Sequence, residues 1–189
     1  MKSDRFRAAA EGKDFSAMDD LFAEGVVFRS PVVFKPYEGD VPQDRVLEIA
    51  ERLASFGCEE LAFGDTTGMA NPRQVGEFFA AARQRLGDVE LTAHFHNTRG
   101  HGLANVLAAL EQGIDSFESS FGELGGCPVP PGSTGNISTE DLVSMLEEMG
   151  VSTGIDLSKL IAASAEVQRT LGRPLGAHLL TAGPIDWHR

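Results

Sequence analysis

His94-Phe95-His96 sets two imidazoles at i and i+2, and residues so spaced on a strand point to one face. Imidazole nitrogens bind divalent metals, and an amide or carboxylate oxygen such as that of Asn136 can complete the shell. An ion held this way would polarise a carbonyl or alkoxide oxygen as a Lewis acid. Asn136 closes a 15-residue loop, 122–136, with five glycines and three prolines. It carries Cys127 between Gly125-Gly126 and Pro128. Loops this long inside compact domains are usually functional or disordered. Glycines allow close backbone approach and hinge motion, so one reading of Cys127 is a proton donor or acceptor on a mobile lid. The other is a spare thiol. Asp65, just after an apolar strand, could accept a proton or join a ligand shell, or it could cap the turn through Thr66 and Thr67. For the two histidines, a structural pair competes with the ligand pair.

The elements that must position these groups alternate. Val46, Ile49, Ala50 and Leu53 repeat at helical spacing, and Gly57 stops that helix. Glu60-Leu61-Ala62-Phe63 reads as a buried strand. Val75, Phe78, Phe79, Ala82 and Leu86 mark a helix with Pro72 near its start. Val89 to Ala93 leads into the histidine strand; Leu103, Val106, Leu107 and Leu110 give a further helix, with His101 opening it, and Ser116 to Ser120 a third strand. Ser138-Thr139-Glu140-Asp141 caps another helix, with Leu142, Met145, Leu146 and Met149 expected on its buried side. A last helix spans about Asp156 to Leu171. The Pro/Gly-rich tail from Gly172 is expected to be loosely held, and His178 and His188 receive no role. Strands alternating with helices spell βα units around a parallel sheet. Asp65, His94/His96 and Cys127 all follow strands, where such folds place active sites.

Composition narrows the class. At 189 residues, 42% hydrophobic and 23% charged, the chain is ordinary for one globular domain. A formal net charge of −12 and a pI near 4.8, without a basic stripe, argue against nucleic acid or an anionic membrane as partner. No apolar run approaches the ~18 residues of a membrane span. The two cysteines, Cys58 and Cys127, suggest no disulfide framework, and Cys58 reads as a buried structural thiol. A reducing, cytoplasmic location follows by elimination.

Four motifs together resemble hydroxymethylglutaryl-CoA lyase, in a wider group of metal-dependent TIM-barrel lyases and synthases. They are Gly64-Asp65-Thr66-Thr67-Gly68, His94-Phe95-His96-Asn97-Thr98, Glu123-Leu124-Gly125-Gly126-Cys127-Pro128 and Gly135-Asn136-Ile137-Ser138-Thr139-Glu140-Asp141. Their order and spacing are similar to the family's over about residues 36–189. The resemblance implies retro-Claisen cleavage of 3-hydroxy-3-methylglutaryl-CoA, an acyl-CoA substrate, to acetyl-CoA and acetoacetate with Mg²⁺ or Mn²⁺. By position it implies His94, His96 and Asn136 as metal ligands, His94 also in proton transfer, Cys127 as the loop thiol and Asp65 as an active-site aspartate.

The same resemblance exposes departures. Such lyases open with a strand ending in Arg-Asp, a dipeptide this chain lacks, and Val129 stands where an aromatic residue commonly follows Cys-Pro. A full barrel takes ~250 residues. The expectation is therefore an α/β fold, an incomplete TIM (β/α)8 barrel of about three βα units plus terminal helices, similar to the C-terminal half of a lyase. Residues 1–37, from Phe6-Arg7-Ala8 through Phe28-Arg29-Ser30-Pro31, resemble the start of a SnoaL-like (NTF2-like) α+β domain. The chain then divides into 1–37 and a partial lyase barrel at 38–189, joined at Pro36-Tyr37-Glu38-Gly39. The competing reading is an inactive remnant or interaction module without the Arg-Asp strand. A partial barrel leaves sheet edges and helix faces uncovered, which a homo-oligomer would cover.

Overall fold

Three short strands carry the architecture: β1 (Glu60–Asp65), β2 (Glu90–Phe95) and β3 (Ser116–Glu118). The computed structural model describes residues 43–126 and 132–185, so the expectations placed on residues 1–37, on Cys127 and on His188 lie outside the described residues. The strands form one parallel sheet in the order β1-β2-β3. Helix α1 (Gln43–Ser55) precedes β1, while α2 (Pro72–Leu86) and α3 (Gly102–Leu110) make the two crossovers. Helices α4 (Thr139–Glu148), α5 (Leu157–Leu171) and the single turn α6 (Leu179–Ala182) complete the described order. This is the expected α/β arrangement, a partial parallel sheet of an incomplete barrel.

Local chemistry explains the boundaries. Asn71 caps α2 reciprocally: its side chain accepts from the Gln74 backbone at 3.1 Å, while Gln74 Oε1 accepts from the Asn71 backbone at 3.2 Å. Pro72 follows at the first helical position, where its missing N–H costs nothing. Val75, Phe79, Ala82 and Leu86 then fall on one buried face. Phe79 and its neighbour Phe78 meet Phe63 of β1 edge-on, with ring centroids 6.1 and 4.9 Å away.

The two faces of the sheet differ sharply. Leu61, Leu91, Ala93 and Phe95 are buried in the core that the helices cover. The alternate positions carry Glu60, Thr92, Ser116, His94 and Glu118. Thr92 Oγ1 lies 2.8 Å from Glu60 Oε1 and 2.7 Å from Ser116 Oγ, a polar row running across all three strands.

Two expectations are corrected. Met149 is 47% exposed, because it caps α4 beyond the last buried turn, and Val143 occupies the buried position instead. The segment after α5 is not loosely held. Leu175 and Ala177 are buried, the Gly176 N–H donates to the Gly122 carbonyl at 3.0 Å, and the Leu175 N–H donates to Gln168 Oε1 at 2.9 Å. Its Pro and Gly residues shape a strap that lies against the body; they do not release it.

Candidate active site

His94 sits next to the end of β2, and the register sets it opposite Gly64 of β1 and Glu118 of β3. Glu118 Oε2 lies 2.9 Å from His94 Nδ1. His96 follows just past the strand, with its ring centroid 5.1 Å from that of His94. Asn136 reaches this pair through backbone pairing: it forms an antiparallel bridge with His96, flanked by Ile137 N–H to Phe95 O at 3.0 Å and Asn97 N–H to Gly135 O at 3.2 Å. Asn136 Nδ2 donates to Ser120 Oγ at 2.7 Å, a bond that leaves the amide oxygen to accept elsewhere. The structure thus gathers His94, His96 and Asn136 in one place.

His96 is 5% exposed, and its Nδ1 is buried with no hydrogen-bond partner among the described residues. A buried unpaired ring nitrogen is costly unless something else uses its lone pair. Burial pushes the His96 pKa down, reinforced by the neighbouring His94; a backbone hydrogen bond with Thr134 and the charge of Asp65 oppose this. The neutral ring so favoured is the form that binds a metal. Two imidazoles and an amide oxygen suit a divalent ion. Among the described residues no cluster of three or more His, Cys, Asp or Glu side chains is arranged to hold one, so a further ligand would have to come from elsewhere.

Asp65 is drawn into its own turn. Its Oδ1 accepts from Thr67 Oγ1 at 3.3 Å and from the Met69 N–H at 3.0 Å, and its Oδ2 accepts from the Ala70 N–H at 2.9 Å. Its strand position pairs it with Phe95, one step out of phase with His94. A cleft of about 560 Å³ beside Asp65 is lined by Phe63, Phe78 and Phe95, not by the histidines.

The loop that carries Cys127 is gathered at its two ends. A Cβ on Gly135 would stand 2.0 Å from the Glu123 carbonyl oxygen, so only glycine lets the two ends cross there. Glu123 adopts a left-handed backbone, φ 58°, unusual for a residue with a side chain. Its carboxylate accepts from Asn97 Nδ2 at 2.6 Å. Burial raises its pKa, against the opposing effects of the Asn97 bond and of His178. Beneath it, Glu140 is fully buried, and its two oxygens accept the Gly122 N–H at 2.9 and 2.8 Å. Ser138 Oγ donates to the same carboxylate at 2.8 Å. Asp141 receives the His178 N–H and Nδ1 and the Leu179 N–H at 2.9–3.0 Å, tying the strap to α4.

Sequence reasoning missed Glu118, Glu140 and His178. Glu118 carried a usable signal, being two residues past Ser116 on a strand parallel to the histidine strand. Glu140 carried none, since an acidic residue in a first helical turn normally faces water.

Comparison with known proteins relates the chain to named lyases. The chain is 46% identical over 148 residues to a hydroxymethylglutaryl-CoA lyase of Bacillus subtilis, covering 78% of this chain and 50% of that protein. It is 49% identical over 150 residues to the (R)-citramalyl-CoA lyase of Chloroflexus aurantiacus, covering 79% and 47%. Among solved structures, an HMG-CoA lyase from Acinetobacter baumannii in complex with coenzyme A and 3-methylmalate superposes with a TM-score of 0.76 at 44% identity, over 82% of this chain and 51% of that one. The chain therefore spans about half the length of the curated relatives it matches. The profile of the HMGL-like family matches residues 16–167, opening inside the N-terminal segment 1–37. With most of its length inside that match, the chain belongs to the HMGL-like family.

Proposed function

We propose that this chain contributes the C-terminal share of a carbon–carbon lyase site that cleaves 3-hydroxy-3-methylglutaryl-CoA to acetyl-CoA and acetoacetate. The observation that supports it best is the meeting of His94, His96 and Asn136 beside the buried Nδ1 of His96, which has no hydrogen-bond partner among the described residues. The similarity to named lyases favours this reading over an inactive remnant.

In this reading His94, His96 and Asn136 would hold a divalent ion, Mg²⁺ or Mn²⁺. Such an ion, when bound, supplies Lewis-acid polarisation of the substrate oxygen. The remaining chemistry belongs to side chains. Cleavage begins when the tertiary hydroxyl loses its proton to a base. His94, with Nδ1 engaged by Glu118, keeps one lone pair, on Nε2, and that lone pair is committed to the ion. The bond between the carbinol carbon and the thioester α-carbon then breaks, and the departing enolate takes a proton. Cys127, on the loop whose ends Glu123 and Gly135 gather, is the proposed donor. Asp65, its carboxylate engaged by three bonds within its own turn, bears on His96 through its charge.

The 49% identity to a citramalyl-CoA lyase favours a second substrate, another tertiary 3-hydroxyacyl thioester. Acetyl-CoA release from each of the two thioesters, with Mg²⁺ or Mn²⁺ present, distinguishes them. The first reading expects faster release from hydroxymethylglutaryl-CoA and its loss in Cys127→Ala. Faster release from citramalyl-CoA overturns it in favour of the second, and no release from either overturns both. No helix among the described residues is long and apolar enough to cross a membrane.

A further inference from the structure

His94 and His96 share a strand end but not an environment. His96 is buried and its Nδ1 is unpartnered among the described residues, whereas His94 Nδ1 faces a carboxylate at 2.9 Å. That contact is built by the sheet: the parallel register of β2 and β3 sets Glu118 directly opposite His94, and side chains opposite each other leave the same face. On the other flank stands Gly64, whose missing side chain leaves the His94 ring against bare backbone; a Cβ there would lie 3.6 Å from His94 Cδ2. The ring is thus held between a carboxylate and a glycine.

A carboxylate accepts hydrogen bonds and does not donate them, so its partner nitrogen carries the proton. We propose that Glu118 is a positioning residue that fixes His94 as the Nδ1–H tautomer and sets its ring plane, so that the Nε2 lone pair is presented to a divalent cation. This rests on the metal-assisted reading of the site. Carboxylates that receive the second N–H of a ligating histidine orient the ring and raise its basicity. Glu118 is more than half exposed, so its replacement disturbs little packing.

The test uses the full chain labelled with ¹⁵N-histidine. Long-range ¹H–¹⁵N spectra at neutral pH should show His94 protonated at Nδ1. Glu118→Ala should turn that signal into a mixture of tautomers, with Glu118→Gln, which keeps an acceptor, in between. Mn²⁺ titration followed by electron paramagnetic resonance should show affinity falling about 10- to 100-fold in Glu118→Ala. In a His94→Ala background, Glu118→Ala should then change the affinity no further. An unchanged tautomer in Glu118→Ala overturns the proposal. So does an equal loss of affinity in the His94→Ala background, which would mean that the carboxylate acts on the ion without the histidine. If the unaltered chain binds no Mn²⁺, the metal reading fails, while the tautomer spectrum still decides whether Glu118 governs His94.

Discussion

The two faces of one three-stranded sheet do opposite work with the same backbone. Leu91, Ala93 and Phe95 point from β2 into the helix-covered core, while Thr92 and His94 point the other way, into a polar row shared with Glu60, Ser116 and Glu118. In a doubly wound sheet both faces would be apolar, because helices cover both. Here one face holds the fold and the other carries the polar row and the proposed site, separated by a single residue step. The lesson is that stability and reactivity can be altered almost independently along β2, provided the register is kept.

That separation can be broken in graded ways. The largest effect is expected from His94→Ala, which removes a proposed ligand of the ion and should lower lyase turnover by at least about 10²-fold, several kcal/mol of transition-state stabilisation being at stake. Its urea midpoint should move less than that of a core substitution. A loss of fold equal to the loss of activity would show that the polar face also carries stability. Next comes Leu91→Ala, one strand residue removed from the polar row and 1% exposed. It should cost about 2–5 kcal/mol in urea unfolding while Mn²⁺ affinity of the folded fraction stays unchanged. Thr92→Val keeps the shape and removes the hydroxyl that meets Glu60 and Ser116. The expected loss is about 1 kcal/mol, read from the same unfolding curves.

The smallest effect concerns the strap. The Asp141 carboxylate, by its hydrogen bond and its charge, raises the pKa of His178. A base whose folded value lies above its unfolded value of about 6.5 contributes its full stabilisation below that unfolded value. The contribution is lost as pH climbs through the folded value. The urea midpoints of the unaltered chain and of His178→Gln should therefore differ below pH 6 and converge in mild alkali. A gap that widens with pH would show that the His178–Asp141 contact is not the source.

Much of this was legible in the sequence, for physical reasons that differ by element. The period of Val75, Phe79, Ala82 and Leu86 announces α2, and Pro72 announces its start, because the chemistry of a helix's first turn is local. The pairing of His94 and His96 follows from strand geometry alone. Asn136 beside His96 is another matter, since it depends on an isolated bridge between segments 40 positions apart, which no local rule encodes. The strap was misjudged because Pro and Gly describe backbone preference and say nothing of Leu175 and Ala177 finding a buried seat. Glu140 was invisible for the converse reason: its burial is compensated by the backbone N–H of Gly122, a partner that sequence does not show.

The crossing of Glu123 and Gly135 has an evolutionary reading. Because the two ends of the segment meet in backbone contact, the chain between them is closed independently of its length or content. Lengthening such a closed excursion costs only about 0.6 kcal/mol per doubling. A change of length between the two ends therefore need not disturb the crossing itself. Variation inside the closed segment is thereby separated from the strand end that carries His94 and His96.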